Sequence, residues 1–217
     1  MIFNLPTLTV LGLLAIGCAL SFPVLYKGFS RRGKGVVYES NFLIQRAPQL
    51  LSGVNVALIV LSYGVFNGHI TGIPGLTPVL SLTQSEPTGA LLAISWLGVL
   101  EMLTGFVFMI GGWYSLGEAF STDAELLEGQ EVKDSGLLRF VMHPAYSGII
   151  QSLVGASIAA LSPLSLAFAL FVVAPLWLRR AKYEEELLVK TFGEKYKEYA
   201  AKLKWRRLVP KFFPIGV

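Results

Sequence analysis

The sequence predicts an all-α integral membrane protein. It has about five transmembrane helices, a C-terminal helical hairpin and a cytoplasmic amphipathic helix. Three observations carry this. The chain has 217 residues, of which 53% are hydrophobic and only 15% charged, where a soluble domain carries about a quarter charged. Mean hydropathy is +0.60. Long apolar runs recur along the chain, and no period of two persists that would mark strands.

The runs are Leu5–Tyr26, Ala47–Phe66, Thr88–Trp113, Ala145–Leu161 and Leu164–Leu178. The first three approach the ~20 residues that cross the hydrocarbon core. The last two are short and meet at Ser162-Pro163, an N-cap followed by proline at the first helical position. They read as a tight hairpin. The third run carries Glu101 near its middle. An ionisable group at that depth costs on the order of 3 kcal/mol, so it is expected to face other helices or a polar cavity. From Arg179 on, Tyr183, Leu187, Leu188, Phe192, Tyr196, Tyr199 and Leu203 recur at steps of mostly three and four beside a lysine-rich face, which predicts an amphipathic surface helix.

Charge position fixes an expected topology. All 18 Lys and Arg fall within Lys27–Arg46, Lys133–Arg139 and Arg179–Lys211. Five spans put these segments on one face, the positive-inside pattern. The N-terminus is expected outside and the C-terminus in the cytoplasm, at the plasma membrane if the source is prokaryotic. The connector Lys27–Arg46 reads as a topology determinant touching lipid headgroups. Partners are then membrane lipids and a lipophilic small molecule, with no nucleic acid. The lone Cys18 and the two distant histidines, His69 and His143, give no basis for a disulfide or a metal site. His69 reads as a loop residue in the outer loop Asn67–Pro87.

The hairpin brings two polar clusters together at one membrane surface: Arg139 to Gly148, holding His143 and Tyr146, and Arg179 to Glu186, holding Arg180, Glu184 and Glu185. A carboxylate can hold an ammonium or ribose hydroxyls, and a guanidinium can grip a carboxylate or phosphate by its planar fork. Pro144 opens a helix and leaves early amides free for an anion. The plainer alternative stays open: Arg180 and Glu184 are spaced i,i+4 and can form only a surface ion pair.

In order, these residues resemble the isoprenylcysteine carboxyl methyltransferase family and its phospholipid and thiol methyltransferase relatives. The matching elements are Leu116-Gly117-Glu-Ala-Phe120-Ser121, then Gly136 through Arg139 to His143-Pro144-Ala145-Tyr146-Ser-Gly148. Next come Arg180 with Glu184-Glu185, and Phe192-Gly193, Tyr196 and Tyr199. The likeness covers Trp113 to Pro210. Met142 stands where the family pattern has Arg, and Leu138 where it has Tyr. The resemblance implies S-adenosyl-L-methionine as cofactor, bound by Gln130, Glu131, Val132, Lys133, Leu138, His143, Pro144, Ala145, Tyr146 and Glu184. It implies that Arg180 faces the methyl acceptor. An amine acceptor would have to lose a proton, which Glu184 or Glu185 could take.

The expected function is a membrane-embedded methyltransferase acting on a lipophilic carboxylate, thiol or amine. The chain is then one transmembrane domain, residues 1–112 forming the substrate side and 113–217 the cofactor half. Two other readings remain: an NADPH-dependent membrane reductase of the sterol type, and a small transporter or scaffold prompted by Glu101.

Overall fold

The computed structural model describes residues 5–35, 37–38, 41–66, 75, 77–203, 205–206 and 209–210. His69 and Lys211 lie outside them. The helices are α1 (Leu5–Arg31), α2 (Phe42–Gln45), α3 (Ala47–Phe66), α4 (Thr77–Leu80), α5 (Gly89–Leu116), α6 (Pro144–Ala159), α7 (Pro163–Phe168), α8 (Ala174–Phe192) and α9 (Glu194–Lys202). A π turn, Ala169–Val173, joins α7 to α8. Two antiparallel ladders of two residues each are also present. One pairs β1 (Val37–Tyr38) with β2 (Glu125–Leu126), the other β3 (Trp205–Arg206) with β4 (Val209–Pro210).

Among the described residues, four helical stretches are long and apolar enough to cross a membrane: Leu5–Arg31, Ala47–Val65, Gly89–Ala119 and Pro163–Phe192. The chain is an integral membrane protein. The shorter α6 is the first arm of the expected hairpin. Its turn passes through Leu161 at φ 50, a conformation uncommon outside glycine, and Leu82 N donates to Leu161 O at 2.9 Å. The 77–82 segment, part of the expected outer loop, therefore packs on the hairpin turn. Ser162 accepts from Ser165 N and Pro163 opens the second arm, as the dipeptide predicts. That arm does not stop at Leu178. It runs on through the π turn into α8, so the last span and the first half of the amphipathic tail are one continuous helical rod. Buried Ser165, Ala169, Val173, Trp177 and Ala181 recur every four residues. A regular helix of 3.6 residues per turn would drift about 40° at each such step. The wider π turn absorbs part of that drift.

The chain forms two compact units. The first comprises residues 1–19, 49–106 and 150–175. Val10, Ile59, Val99, Met102, Ala156 and Ala159 form its core. A Cβ on Gly98 would strike the backbone of Ala159, and one on Gly155 the backbone of Met102. Such small residues let helix backbones meet without a hydrophobic driving force. Side-chain hydrogen bonds add to the packing: Asn55 Nδ2 to Ser165 O at 2.7 Å and Ser62 Oγ to Ser162 Oγ at 2.7 Å. Glu101 departs from expectation, because its side chain is exposed on the outside of this unit. The inner face of α5 meets α6 backbone to backbone at Gly98 and leaves no room there for a carboxylate.

The second unit comprises residues 20–48, 107–149 and 176–217. Trp113, Phe120 and Ala145 form its apolar centre, with Val24, Leu25, Met109, Leu116, Tyr146 and Ile149 packed around them. α8 ends at Gly193, whose φ 55 and ψ −128 suit only glycine. α9 turns off there and buries Tyr196.

Candidate active site

A groove with about 900 Å³ of free space, counted out to its open mouth, lies within the second unit. Every residue expected at the cofactor lines it: Gln130, Glu131, Val132, Lys133, Leu138, His143, Pro144, Ala145, Tyr146 and Glu184. The loop after β2 supplies the first four, the start of α6 the His-Pro-Ala-Tyr stretch, and α8 supplies Glu184. Arg180 and Glu185, expected at the methyl acceptor, do not line the groove. Trp113, Leu116, Phe120, Met142, Leu187 and Leu188 add an apolar wall, and Tyr196 and Tyr199 close it from α9. The spaced tyrosines and leucines of the tail were legible as a helix face, though not as groove wall.

The polar centre is a network around Tyr146. Its hydroxyl donates to Glu184 Oε1 in a short hydrogen bond. Arg180 is 2% exposed. Its Nε donates to Tyr146 Oη at 2.9 Å and to Glu184 Oε1 at 3.1 Å, and its Nη2 to Thr122 O at 2.9 Å. The i,i+4 pair is thus no solvated surface bridge. The guanidinium is a buried bracket holding Tyr146, Glu184 and a loop carbonyl. The ring of His143 stacks on Tyr146 at 5.4 Å with 3° between planes, and Trp177 packs on Tyr146 at 4.7 Å. His143 Nδ1 stands 3.7 Å from Glu184 Oε2 and its Nε2 3.2 Å from Glu185 Oε1. The buried Nε2 meets the Glu185 carboxylate without a directed hydrogen bond.

Acidic residues of the 118–125 segment are neutralised from the basic connector. Asp123 pairs with Arg46 through both carboxylate oxygens and lies 3.4 Å from Arg32 Nε. Glu125 accepts from Gly33 N at 3.0 Å, Gly35 N at 2.9 Å and Ser121 Oγ at 2.6 Å. Arg31 pairs with Glu118. The connector, read as a lipid contact, spends these three arginines on the protein itself. Tyr199 Oη donates to Leu138 O at 2.8 Å. Burial, and then the Asp134 charge, hold its phenol above the usual tyrosine range, which keeps that donor protonated.

A family model described as phospholipid methyltransferase matches residues 93–195, a stretch that holds most of the groove. A probable protein-S-isoprenylcysteine O-methyltransferase of Oryza sativa subsp. indica is 29% identical over 112 residues, 51% of this chain and 59% of that protein. Protein-S-isoprenylcysteine O-methyltransferase B of Arabidopsis thaliana is 29% identical over 113 residues, 51% of this chain and 57% of its own. The protein-S-isoprenylcysteine O-methyltransferase of Saccharomyces cerevisiae is 27% identical over 109 residues, 49% and 46% of the two chains. The matches span about half the length of these curated relatives. Similarity to methyltransferases implies a methyl donor. The groove, the spaced motifs that build it and these relatives agree: the chain is similar to isoprenylcysteine O-methyltransferases and, over residues 93–195, to the phospholipid methyltransferase family model.

Proposed function

We propose that the chain is a membrane methyltransferase that uses S-adenosyl-L-methionine to methylate a lipophilic carboxylate, thiol or amine reaching the groove from the bilayer. The observation that carries this is the convergence of Gln130–Lys133, Leu138, His143–Tyr146 and Glu184, four separated stretches of sequence, on one groove. The lining fits the cofactor. Glu131 and Glu184 suit an ammonium and ribose hydroxyls, and the aromatic rings suit a base.

When bound, the cofactor supplies a methyl carbon already activated on a sulfonium. The protein then needs mainly to align and to exclude water. Glu184 is held in one orientation by Tyr146 and Arg180. The apolar wall of Trp113, Leu116, Phe120 and Met142 keeps water from the groove. For an amine acceptor, Glu184, which lines the groove, is the proposed proton acceptor, with Glu185 outside the groove against His143 Nε2. Arg180, which the resemblance would set facing the acceptor, is better suited by its burial to positioning Tyr146 and Glu184. In this reading the groove opens to the cytoplasm, the N-terminus is outside, and residues 1–112 shape the acceptor side.

The test is a titration of detergent-purified protein with S-adenosylhomocysteine and with NADPH, following the thermal transition. S-adenosylhomocysteine is expected to raise it. A rise with NADPH alone would sink the methyltransferase reading in favour of a reductase.

A further inference from the structure

The turn 122–126 forms one wall of the groove through Asp123, Glu125 and Leu126. Asp123 is only 4% exposed, yet the turn has no regular structure of its own beyond the two residues of β2. What holds it comes from far away in sequence. Gln45, buried at the end of α2, donates through Nε2 to Ala124 O at 3.1 Å and accepts at Oε1 from Ala124 N at 2.8 Å. One side-chain amide thus makes the paired bonds that a neighbouring strand would make, and satisfies both backbone groups of a residue that is 1% exposed. The adjacent Arg46 forks onto the Asp123 carboxylate. Arg180 closes the arrangement, with Nη1 to Gln45 O at 3.5 Å and Nη2 to Thr122 O at 2.9 Å.

We infer that Gln45 and Arg46 are positioning residues for the cofactor groove, acting as a strap that fixes the 122–126 wall. Both lie outside the family-matched stretch of residues 93–195. The inference rests on the proposed cofactor site. Its chemistry is specific. Ala124 offers one donor and one acceptor, and the Gln45 amide meets both with its separate oxygen and nitrogen. The Asp123 carboxylate, buried at the groove edge, needs the planar fork of Arg46 to stay neutralised. Without the strap the turn opens, and the groove-ready state becomes a fraction of the population, which weakens apparent affinity by that fraction.

The test uses full-length protein in detergent, with Gln45→Met to remove both bonds at similar length and Gln45→Glu to keep only the acceptor. S-adenosylhomocysteine affinity is measured by calorimetry well below the thermal transition, and hydrogen exchange is followed in peptides covering 120–127 and 153–160. Affinity is expected to fall about tenfold or more in Gln45→Met and by less in Gln45→Glu. Exchange should quicken at 120–127 and stay unchanged at 153–160, a local signature that general destabilisation would not give. Affinity within twofold of wild type together with unchanged exchange at 120–127 would overturn the strap. Should Gln45→Met not survive extraction, Arg46→Lys, which keeps the charge and loses the fork, is read the same way. If wild type itself binds no S-adenosylhomocysteine, the proposed function fails, and the exchange measurement still decides the strap.

Discussion

Replacing Arg180 by lysine separates a buried bracket from a surface ion pair. The guanidinium serves Tyr146 Oη, Glu184 Oε1 and Thr122 O between 2.9 and 3.1 Å, and Gln45 O at 3.5 Å. A lysine ammonium is a point donor. It can keep the Tyr146–Glu184 end but cannot also reach the two carbonyls. Thr122 O loses a charge-assisted bond, a loss of about 1.5–3 kcal/mol. The longer Gln45 contact adds little. If that loss falls on the groove-ready state, S-adenosylhomocysteine affinity drops roughly 10- to 150-fold. Arg180→Met goes further and leaves Glu184 without its cation. Breaking a buried pair costs about 3–5 kcal/mol, and Glu184, whose side chain is 20% exposed, places this at the lower end. Calorimetry at 20 °C and thermal unfolding in the same detergent measure both. A surface i,i+4 pair would be worth only ~0.3–0.5 kcal/mol. Wild-type affinity in Arg180→Lys with an unchanged transition would refute the bracket.

Three further outcomes are expected. Tyr199→Phe removes the bond to Leu138 O and should lower stability by about 0.5–1.5 kcal/mol in denaturant titration below pH 9. Because the folded phenol is held above the ordinary value, its contribution is complete below pH ~10 and is lost as pH rises beyond it. Wild type should therefore lose stability above pH ~10 more steeply than Tyr199→Phe. Gly155→Val drives a side chain into the backbone of Met102 and Gly98. It should lower the detergent thermal transition by an overpacking cost of ~1–3 kcal/mol or more, whereas Gly53→Val, where an added Cβ meets nothing within 4 Å, should not. Glu125→Gln loses the charge that accepts from Gly33 N, Gly35 N and Ser121 Oγ. Limited proteolysis, read by mass spectrometry, should then show faster cleavage near residues 31–35, and unchanged cleavage would contradict the assignment.

The hairpin and the meeting of His143, Tyr146 and Glu184 were legible from local pattern, whereas Gln130–Lys133 and Leu138 were legible only through the family resemblance. Ser162-Pro163 is a helix start whatever surrounds it, and the bilayer forces apolar runs to be helices. The order of His143, Tyr146 and Glu184 along two hairpin arms then puts them at one end without further assumption. What periodicity does not encode is where a helix is allowed to bulge. The boundary expected at Leu178 follows from the charges that begin at Arg179. Arg180 enters the interior because Tyr146, Thr122 and Gln45 supply acceptors from three other segments, and none of those distances is visible along the chain.

The basic connector shows the same limit from the other side. Counting Arg31, Arg32 and Arg46 by sign gives a correct inventory of charge, and a positive cytoplasmic loop is what a topology rule asks for. The rule weighs charges as if each were in water or at a headgroup. Asp123 and Glu125 are also charges, placed 77 residues and 92 residues along from Arg46 and Gly33, and they sit buried at the groove edge. A buried carboxylate must find partners or leave the interior, so the two segments are bound to each other by the cost of leaving either alone. The acidic run that looked too polar for the membrane and the basic run that looked like a lipid contact are therefore one structure. A basic loop facing an acidic loop across a hairpin end deserves to be read as a pair before either is assigned to solvent.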